Sequence, residues 1–246
     1  MVRGVIFDLG GTLAAPENHL ADDALDRLNA GGLLRWLRQR GLQVDGDFVE
    51  ALVDERRANE VKRARVASEV TAVDALRPVL QRYHLPHDDG FISEAEVAFF
   101  QPELLTMRPL PGAPEILTRL RALGLRAGLA SNASSDYFVQ TCCQRLAFDA
   151  FLDPIVSSAA VGWQKPDRRM FDPFLSAWSL TPEQVVMVGD TPAADIAGAN
   201  RLAMRSILIQ GRRRPDLSGA GARPDAIAAD LFAVAGTLEQ WIAGAR

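Results

Sequence analysis

The feature that most constrains this chain is a series of short apolar runs that alternate with helical patterns. The first run, residues 4–7, leads directly into Asp8 and a glycine-rich turn. Five further runs are separated by segments in which apolar residues recur at helical spacing. These runs lie at 126–131, 153–158, 185–190, 205–210 and, as an edge strand, 225–230. The alternation predicts a doubly wound α/β fold, in which a mostly parallel, Rossmann-like sheet carries helices on both faces.

Residues 15–105 interrupt this alternation with one helical pattern after another. The sheet pattern returns at residues 108–117, "RPLPGAPEIL", where three prolines and a glycine mark a break. We therefore expect two domains, an α/β core domain of residues 1–14 and 106–246 and a helical cap domain of residues 15–105. A cap inserted between the first strand and its partners is placed to cover the open end of the sheet.

Composition excludes several functions and locations. The formal net charge is −4, which gives no electrostatic reason for binding nucleic acid. No apolar stretch approaches the roughly 20 residues that a membrane span requires, and the amino terminus shows no signal peptide. The adjacent cysteines, Cys142 and Cys143, are badly placed to bridge and suit a reducing compartment. We expect a cytoplasmic protein without membrane or nucleic-acid partners.

Asp8 ends the first run and opens the turn "DLGGT", residues 8–12. Taken alone, this turn fits an aspartate that caps a turn, a phosphate-binding loop similar to that of actin-like sugar kinases, or a nucleophilic aspartate. Sugar kinases need further glycine-rich loops for phosphate and adenosine, and nothing after residue 15 provides them. The later motifs decide between the remaining interpretations.

Two of these motifs suit the binding of phosphate. Ser131 and Asn132 end the run at 126–131; they fit a helix cap, but their hydroxyl and amide can also donate hydrogen bonds to phosphoryl oxygens. Lys165 follows the next run, in "VGWQKPD", and is one of only two lysines in a chain with 25 arginines. Because this chain uses arginine almost wherever it needs positive charge, we expect Lys165 to serve as a compact point charge.

Two more carboxylates follow a later strand. Asp190 closes the run at 185–190, and Asp195 lies in the first turn of the next helix, where it also suits the helix dipole. Ligands of such sheets lie beyond the carboxyl ends of the strands, which would bring both residues close to Asp8. Three carboxylates in one crevice repel one another unless a cation joins them, and an all-oxygen site favours Mg²⁺.

These four motifs, in this order, resemble those of the haloacid dehalogenase-like hydrolases. The match covers residues 1–14 and 106 to about 210, and the insertion resembles that of the family's helical-cap subgroup. The resemblance implies a phosphatase that acts on a small phosphorylated substrate, as a monomer or homodimer. Asp8 would attack phosphorus to form an aspartyl-phosphate that water hydrolyses, and Lys165 would neutralise negative charge. The implied phosphate-binding residues are Thr12, Ser131, Asn132 and Lys165.

The same resemblance implies the ligands of a bound Mg²⁺. Asp8 and Asp190 would contact the cation through their carboxylates, and Gly10 would contact it through its backbone carbonyl. Asp195 would either complete this set or orient Lys165.

Gly10 departs from the family pattern, which normally has an aspartate at this position. That aspartate protonates the leaving alcohol and later activates water, a contribution of typically ~10²- to 10⁴-fold. We therefore expect a slow phosphatase, one selective for good leaving groups, or one whose proton comes from another residue. Glu17 and His19 are the nearest candidates for that residue.

Two alternatives stay open beside the phosphatase, a phosphonatase and a ligand-binding protein, whereas dehalogenation is disfavoured. Dehalogenation uses an aspartate nucleophile without a metal, and its enzymes lack the carboxylates present at Asp190 and Asp195. Phosphonatases carry a small residue at the position of Gly10 and use a lysine of the cap, for which only Lys62 is available. A protein that binds phosphorylated ligands without turning them over would also keep Asp8.

Overall fold

The computed structural model describes residues 1–17, 22–66, 68–210 and 221–243. Its strands are β1 (Gly4–Phe7), β2 (Ala14–Pro16), β3 (Met107–Pro109), β4 (Arg126–Ser131), β5 (Ile155–Ser157), β6 (Val185–Gly189), β7 (Arg205–Ile209) and β8 (Ala226–Ala228). Six of them form one parallel sheet in the order β5–β4–β1–β6–β7–β8. The predicted doubly wound sheet is confirmed, with β8 at its edge.

The register of the central strands determines where the site lies. Phe7 of β1 pairs with Leu129 of β4 on one side and with Val188 of β6 on the other. All three strands run in the same direction, so their carboxyl ends meet at one edge of the sheet. The residues that follow these strands therefore become neighbours although they are far apart in the sequence.

Four helices lie between β2 and β3, in the segment predicted to be a helical insertion. They are α1 (Asp22–Gln39), α2 (Phe48–Arg63), α3 (Val73–Arg82) and α4 (Asp89–Thr106). Apolar residues along them, such as Leu33, Phe48 and Phe99, are fully buried. Each helix therefore turns one apolar face inward, as its periodicity predicts.

The remaining helices cover the two faces of the sheet. They are α5 (Ala113–Ala122), α6 (Asp136–Arg145), α7 (Ser158–Val161), α8 (Asp172–Trp178), α9 (Ala197–Arg201) and α10 (Leu231–Ala243). Side chains alternate between the faces, so that Phe7 packs in one hydrophobic core and Ile6 in the other. In the described part of the chain, no helix is both long and apolar enough to cross a bilayer.

A short antiparallel ribbon of β2 and β3 joins the sheet to the helical insertion, with Ala15 opposite Arg108. This ribbon could not be predicted from the sequence, because each of its strands has only three residues, one of which is a proline. Both crossings of the chain between sheet and insertion run through this ribbon.

The insertion also contacts loops at the carboxyl edge of the sheet. The amide of Ala72 donates to the carbonyl of Ser134 at 2.7 Å, in the loop that follows β4. The rings of Phe100 on α4 and Phe138 on α6 lie 5.3 Å apart. The helices are thus held directly over the end of the sheet at which Asp8 lies.

Candidate active site

Lys165 is the centre of a buried charge cluster. Its side chain is 1% exposed, and its ammonium group lies 2.7 Å from Oδ1 of Asp8 and 2.8 Å from Oδ1 of Asp195. The ammonium also donates to the carbonyl of Ala130 at 2.6 Å. Two hydrogen bonds and the ion pair with Asp195 thus fix the amine beside Asp8 as its counter-ion.

The pKa values in this cluster follow from burial and from the neighbouring charges. Burial opposes the charged form of Lys165, but Asp195 and Asp8 outweigh it and raise the pKa of the amine above its usual value. Burial raises the pKa of Asp195 to about 7, and Asp8 adds to the rise while Lys165 acts against it. Burial, with Asp8 second, also raises the pKa of Asp190. Negative charge is therefore crowded here beyond what Lys165 alone neutralises.

The residues present fit a divalent cation. Asp8, Asp190 and Asp195 each offer a carboxylate oxygen, and these oxygens lie within 4.8 Å of one another. Oxygen donors are those that hard cations such as Mg²⁺ prefer. Asp195 is already engaged through both oxygens, because Oδ2 accepts a hydrogen bond from the amide of Thr191 at 2.9 Å. Its geometry favours the second of its two expected roles, the orientation of Lys165.

Glycines create the room for these carboxylates. Gly11 has φ of +74°, a left-handed conformation, and a Cβ there would collide with Oδ2 of Asp190. A Cβ at Gly189 would collide in the same way with the side chain of Asp195. Sequence reasoning missed both residues, although "GG" and "GD" beside the predicted carboxylates were the available signals. Gly10 differs from them, because a Cβ there meets no atom within 4 Å.

The predicted phosphate-binding residues divide into two groups. Ser131 and Asn132 line the same cavity as Asp8 and Lys165. Thr12 is buried and does not line this cavity. Its hydroxyl has no hydrogen-bond partner in the described part of the chain.

The Asn132 side chain forms two hydrogen bonds with the backbone of Lys165. Its amide nitrogen donates to the carbonyl of Lys165 at 3.0 Å, and its oxygen accepts from the amide of Lys165 at 2.7 Å. This pair of hydrogen bonds fixes the backbone of Lys165 to the end of β4. Asn132 thus sets the position from which the ammonium reaches Asp8.

The cavity has a volume of about 480 Å³ and is enclosed by the sheet edge on one side and the helical insertion on the other. On the helical side it is lined by Arg56, Glu60 and Arg63, which repeat at helical spacing along α2. Sequence reasoning missed these three residues, although their spacing of four and three places them on one helix face. A cavity of this size accommodates a small metabolite.

Three residues that the sequence suggested for proton transfer or imine chemistry lie elsewhere. Glu17 is 65% exposed and pairs with Arg108 at 2.9 Å, outside the cavity. Lys62 is exposed on α2 and does not line the cavity, so nothing in its surroundings favours the phosphonatase alternative. His19 lies outside the described residues.

Comparison with known proteins gives a consistent result. A family model described as haloacid dehalogenase-like hydrolase matches residues 2–202. A glyceraldehyde 3-phosphate phosphatase from Pyrococcus abyssi is 30% identical over 129 residues, which are 52% of this chain and 54% of that protein. Another from Methanopyrus kandleri is 27% identical over 217 residues, 88% of each chain. This chain thus spans about half of the first relative and most of the second.

The solved structures agree on the fold. A 2-haloacid dehalogenase from Pseudomonas syringae pv. Tomato has a TM-score of 0.73 at 23% identity, over 98% of this chain and 100% of that one. At this identity the likeness shows a shared architecture alone. The reaction has to be inferred from the site.

Proposed function

This chain belongs to the haloacid dehalogenase-like hydrolase family, and from that membership we propose that it is a phosphatase for a small phosphorylated metabolite. Relatives named glyceraldehyde 3-phosphate phosphatases support a phosphate ester as substrate and make a triose phosphate the first ester to test. One observation carries the proposal. Asp8, at the carboxyl end of β1, pairs with the buried Lys165 at 2.7 Å while the carboxylates of Asp190 and Asp195 converge on it.

The reaction we propose begins at Asp8. No residue that the structure describes donates a hydrogen bond to its Oδ2, whereas Oδ1 is held by Lys165. A bond forms between a carboxylate oxygen of Asp8 and phosphorus, and the bond from phosphorus to the leaving alcohol breaks. Water then attacks phosphorus, the aspartyl-phosphate bond breaks, and Asp8 is restored as inorganic phosphate departs.

The approach of a carboxylate to a phosphate dianion requires positive charge. Lys165 supplies one fixed charge beside Asp8, and its raised pKa keeps the amine protonated at neutral pH. Asp8 and Asp190, with the backbone carbonyl of Gly10, would hold Mg²⁺, and Asp195 would act through Lys165. When bound, the cation neutralises charge that develops on the transferred phosphoryl group. Ser131 would donate a hydrogen bond to that group and hold it in line.

Gly10 makes the proposed enzyme depend on its leaving group. The exposed backbone at Gly10 carries no carboxyl group that could protonate an alcohol or activate water. Formation of the aspartyl-phosphate is therefore fast from esters whose leaving group departs unaided and slower from alkyl esters, by about 10²-fold or more. We propose residues 15–105 as the cap domain and residues 1–14 and 106–246 as the core domain that carries this chemistry.

Hydrolysis of p-nitrophenyl phosphate tests the proposal. Asp8→Asn removes the nucleophile, and Asp54→Asn serves as the matched control, because Asp54 is 71% exposed on α2. We expect Asp8→Asn to lose activity by about 10⁴-fold or more, Asp54→Asn to retain it, and a chelator to abolish it in a way that Mg²⁺ reverses. Activity that survives in Asp8→Asn contradicts the proposal. A wild-type protein that binds phosphate esters without hydrolysing them favours the ligand-binding alternative.

A further inference from the structure

Arg56 is a buried arginine that lines the cavity but has no role in the proposed reaction. It lies on α2, is about nine-tenths buried, and lines the cavity that contains Asp8. Its Nε donates to Oδ1 of Asp26 at 3.1 Å, and its Nη1 donates to the hydroxyl of Ser134 at 3.0 Å. The guanidinium is thereby held in place from both sides of the cavity, by α1 and by the loop that follows β4.

Arg56 retains hydrogen-bonding capacity after these contacts. An arginine has five N–H donors, and the two described hydrogen bonds use one on Nε and one on Nη1. No residue in the described ranges accepts from its Nη2. Arg56 is therefore a fixed donor group in the wall opposite the sheet, where the part of a substrate remote from the transferred phosphoryl group would lie.

The charge of this wall decides which groups it favours. Arg56 is already paired with Asp26, and Arg63 with Glu69 at 3.0 Å and with Glu60 at 3.2 Å. The side chain of Glu69 is fully buried, so that this pairing is well shielded from water.

Glu103 on α4 also lines this cavity and accepts a hydrogen bond from Asn29 at 2.7 Å. In the described part of the wall, each guanidinium group thus already has a carboxylate partner. A second anionic group on a substrate would lose its hydration here without gaining an unpaired cation.

On the basis of the phosphatase function proposed above, we propose that the cavity selects phosphate monoesters whose far end is uncharged and carries hydroxyl or carbonyl oxygens. Arg56 is the residue that donates hydrogen bonds to those oxygens. Neutral oxygens accept hydrogen bonds from Arg56 without bringing a second negative charge beside the carboxylates that already pair with Arg56 and Arg63. Esters that end in a carboxylate or in a second phosphate are disfavoured.

Kinetics with a matched pair of arginine variants test this inference. Arg56→Met removes the donors, and Arg57→Met is the control, since Arg57 is the next residue of α2, is 58% exposed, and also pairs with an aspartate of α1. The esters are glycerol phosphate and glyceraldehyde 3-phosphate as neutral examples, phosphoglycolate and a sugar bisphosphate as anionic examples, and phenyl phosphate, whose far end carries no polar group.

We expect the wild-type enzyme to prefer the neutral esters by about 10-fold or more in kcat/KM. In Arg56→Met, kcat/KM for the neutral esters falls by about 10- to 100-fold, mainly through KM, because a hydrogen bond from a charged donor is lost. Hydrolysis of phenyl phosphate, which offers Arg56 no acceptor, changes by less than about threefold in the same variant, and Arg57→Met behaves as wild type.

Two results would overturn the inference: a wild-type preference for the carboxylate or bisphosphate esters, or equal kinetics in Arg56→Met and Arg57→Met. If Arg56→Met fails to fold, Glu60→Gln is the variant that tests the inference. Loss of this carboxylate leaves Arg63 with one partner fewer, so the ratio of phosphoglycolate to glycerol phosphate hydrolysis must rise severalfold. An unchanged ratio contradicts the inference. Absence of Asp8-dependent hydrolysis of p-nitrophenyl phosphate in the wild type would instead remove the phosphatase function itself.

Discussion

Gly10→Asp is the substitution that most directly probes how this site moves protons. It supplies the carboxyl group that the turn "DLGGT" lacks, two residues after Asp8. If Gly10 leaves the enzyme without a general acid and base, the variant gains activity. Gain of activity is a demanding outcome, since most substitutions near an active site reduce it.

The structure sets the cost of this substitution. A Cβ at Gly10 meets no atom within 4 Å, and Gly10 is not among the glycines with positive φ. No steric cost follows, and the loss of backbone freedom in the unfolded chain stabilises the variant by up to about 1 kcal/mol. Repulsion from the neighbouring carboxylates costs about 1 kcal/mol at this exposed position and weakens with salt. The free energy of unfolding therefore stays within roughly 1 kcal/mol of wild type.

The gain depends on the leaving group. General acid–base catalysis contributes ~10²- to 10⁴-fold when the group is well placed, and a grafted side chain should reach the lower end. We expect kcat/KM for glycerol phosphate, which reports formation of the aspartyl-phosphate, to rise by up to about 10²-fold. The rise in kcat/KM for p-nitrophenyl phosphate is smaller, because its leaving group departs without a proton. Steady-state assays of phosphate release for both esters, beside urea denaturation of both proteins, measure these quantities.

Gly11→Ala is the matched control for the same turn. The new Cβ would collide with Oδ2 of Asp190, and the alanine would have to adopt φ of +74°. The substitution therefore costs about 1–2 kcal/mol and displaces Asp190, a proposed metal ligand. Activity should fall although the substitution is smaller. The reasoning is refuted if Gly10→Asp folds normally and hydrolyses glycerol phosphate no faster than wild type, since the proton must then come from another residue.

Further predictions concern the buried Lys165, the Asn132 side chain that holds its backbone, and the two cysteine thiols. Lys165→Met should abolish activity and destabilise the fold by about 3–5 kcal/mol by urea denaturation. Because the pKa of Asp195 is already raised to about 7 in the folded protein, and rises further without the amine, this deficit should be largest above pH 7 and shrink as acidification protonates Asp195. Asn132→Ala removes both hydrogen bonds to the Lys165 backbone and should lower kcat by about 10- to 10²-fold, which a variant with full kcat would contradict. Burial raises the pKa of both Cys142 and Cys143 to about 12, so neither thiol should react with Ellman's reagent at pH 8 until the protein unfolds.

The sequence was sufficient to predict which residues meet at the sheet edge. Each of the chemically important residues follows an apolar run, and a parallel sheet brings the carboxyl ends of its strands together. Asp8 and Lys165 are 157 positions apart in the chain, yet both were expected beyond the carboxyl ends of parallel strands, and the structure brings them into contact. The general position of the site is therefore a consequence of topology.

The sequence could not predict how individual side chains are oriented or how the helical insertion packs against the sheet. The amide of Asn132 was expected to face phosphate, but in the structure it pairs with the backbone of Lys165, a contact that depends on the path of a distant loop. Thr12 was expected to bind phosphate, but its side chain is buried and does not line the cavity. The conformation of the turn decides which of its side chains face the cavity. The spacing of residues 56, 60 and 63 shows that they share a helix face, but only the docking of the insertion decides that this face meets Asp8.

Covalent labelling of Asp8 tests the central claim most directly. The wild-type enzyme is mixed with p-nitrophenyl phosphate and Mg²⁺, quenched in acid, reduced with borohydride and mapped by peptide mass spectrometry. Because Gly10 supplies no carboxyl group to activate water, breakdown of the aspartyl-phosphate is slow, and a large fraction of the enzyme should carry the modification at Asp8. Turnover at the normal rate with Asp8 unmodified, or with the modification on another residue, would contradict the account.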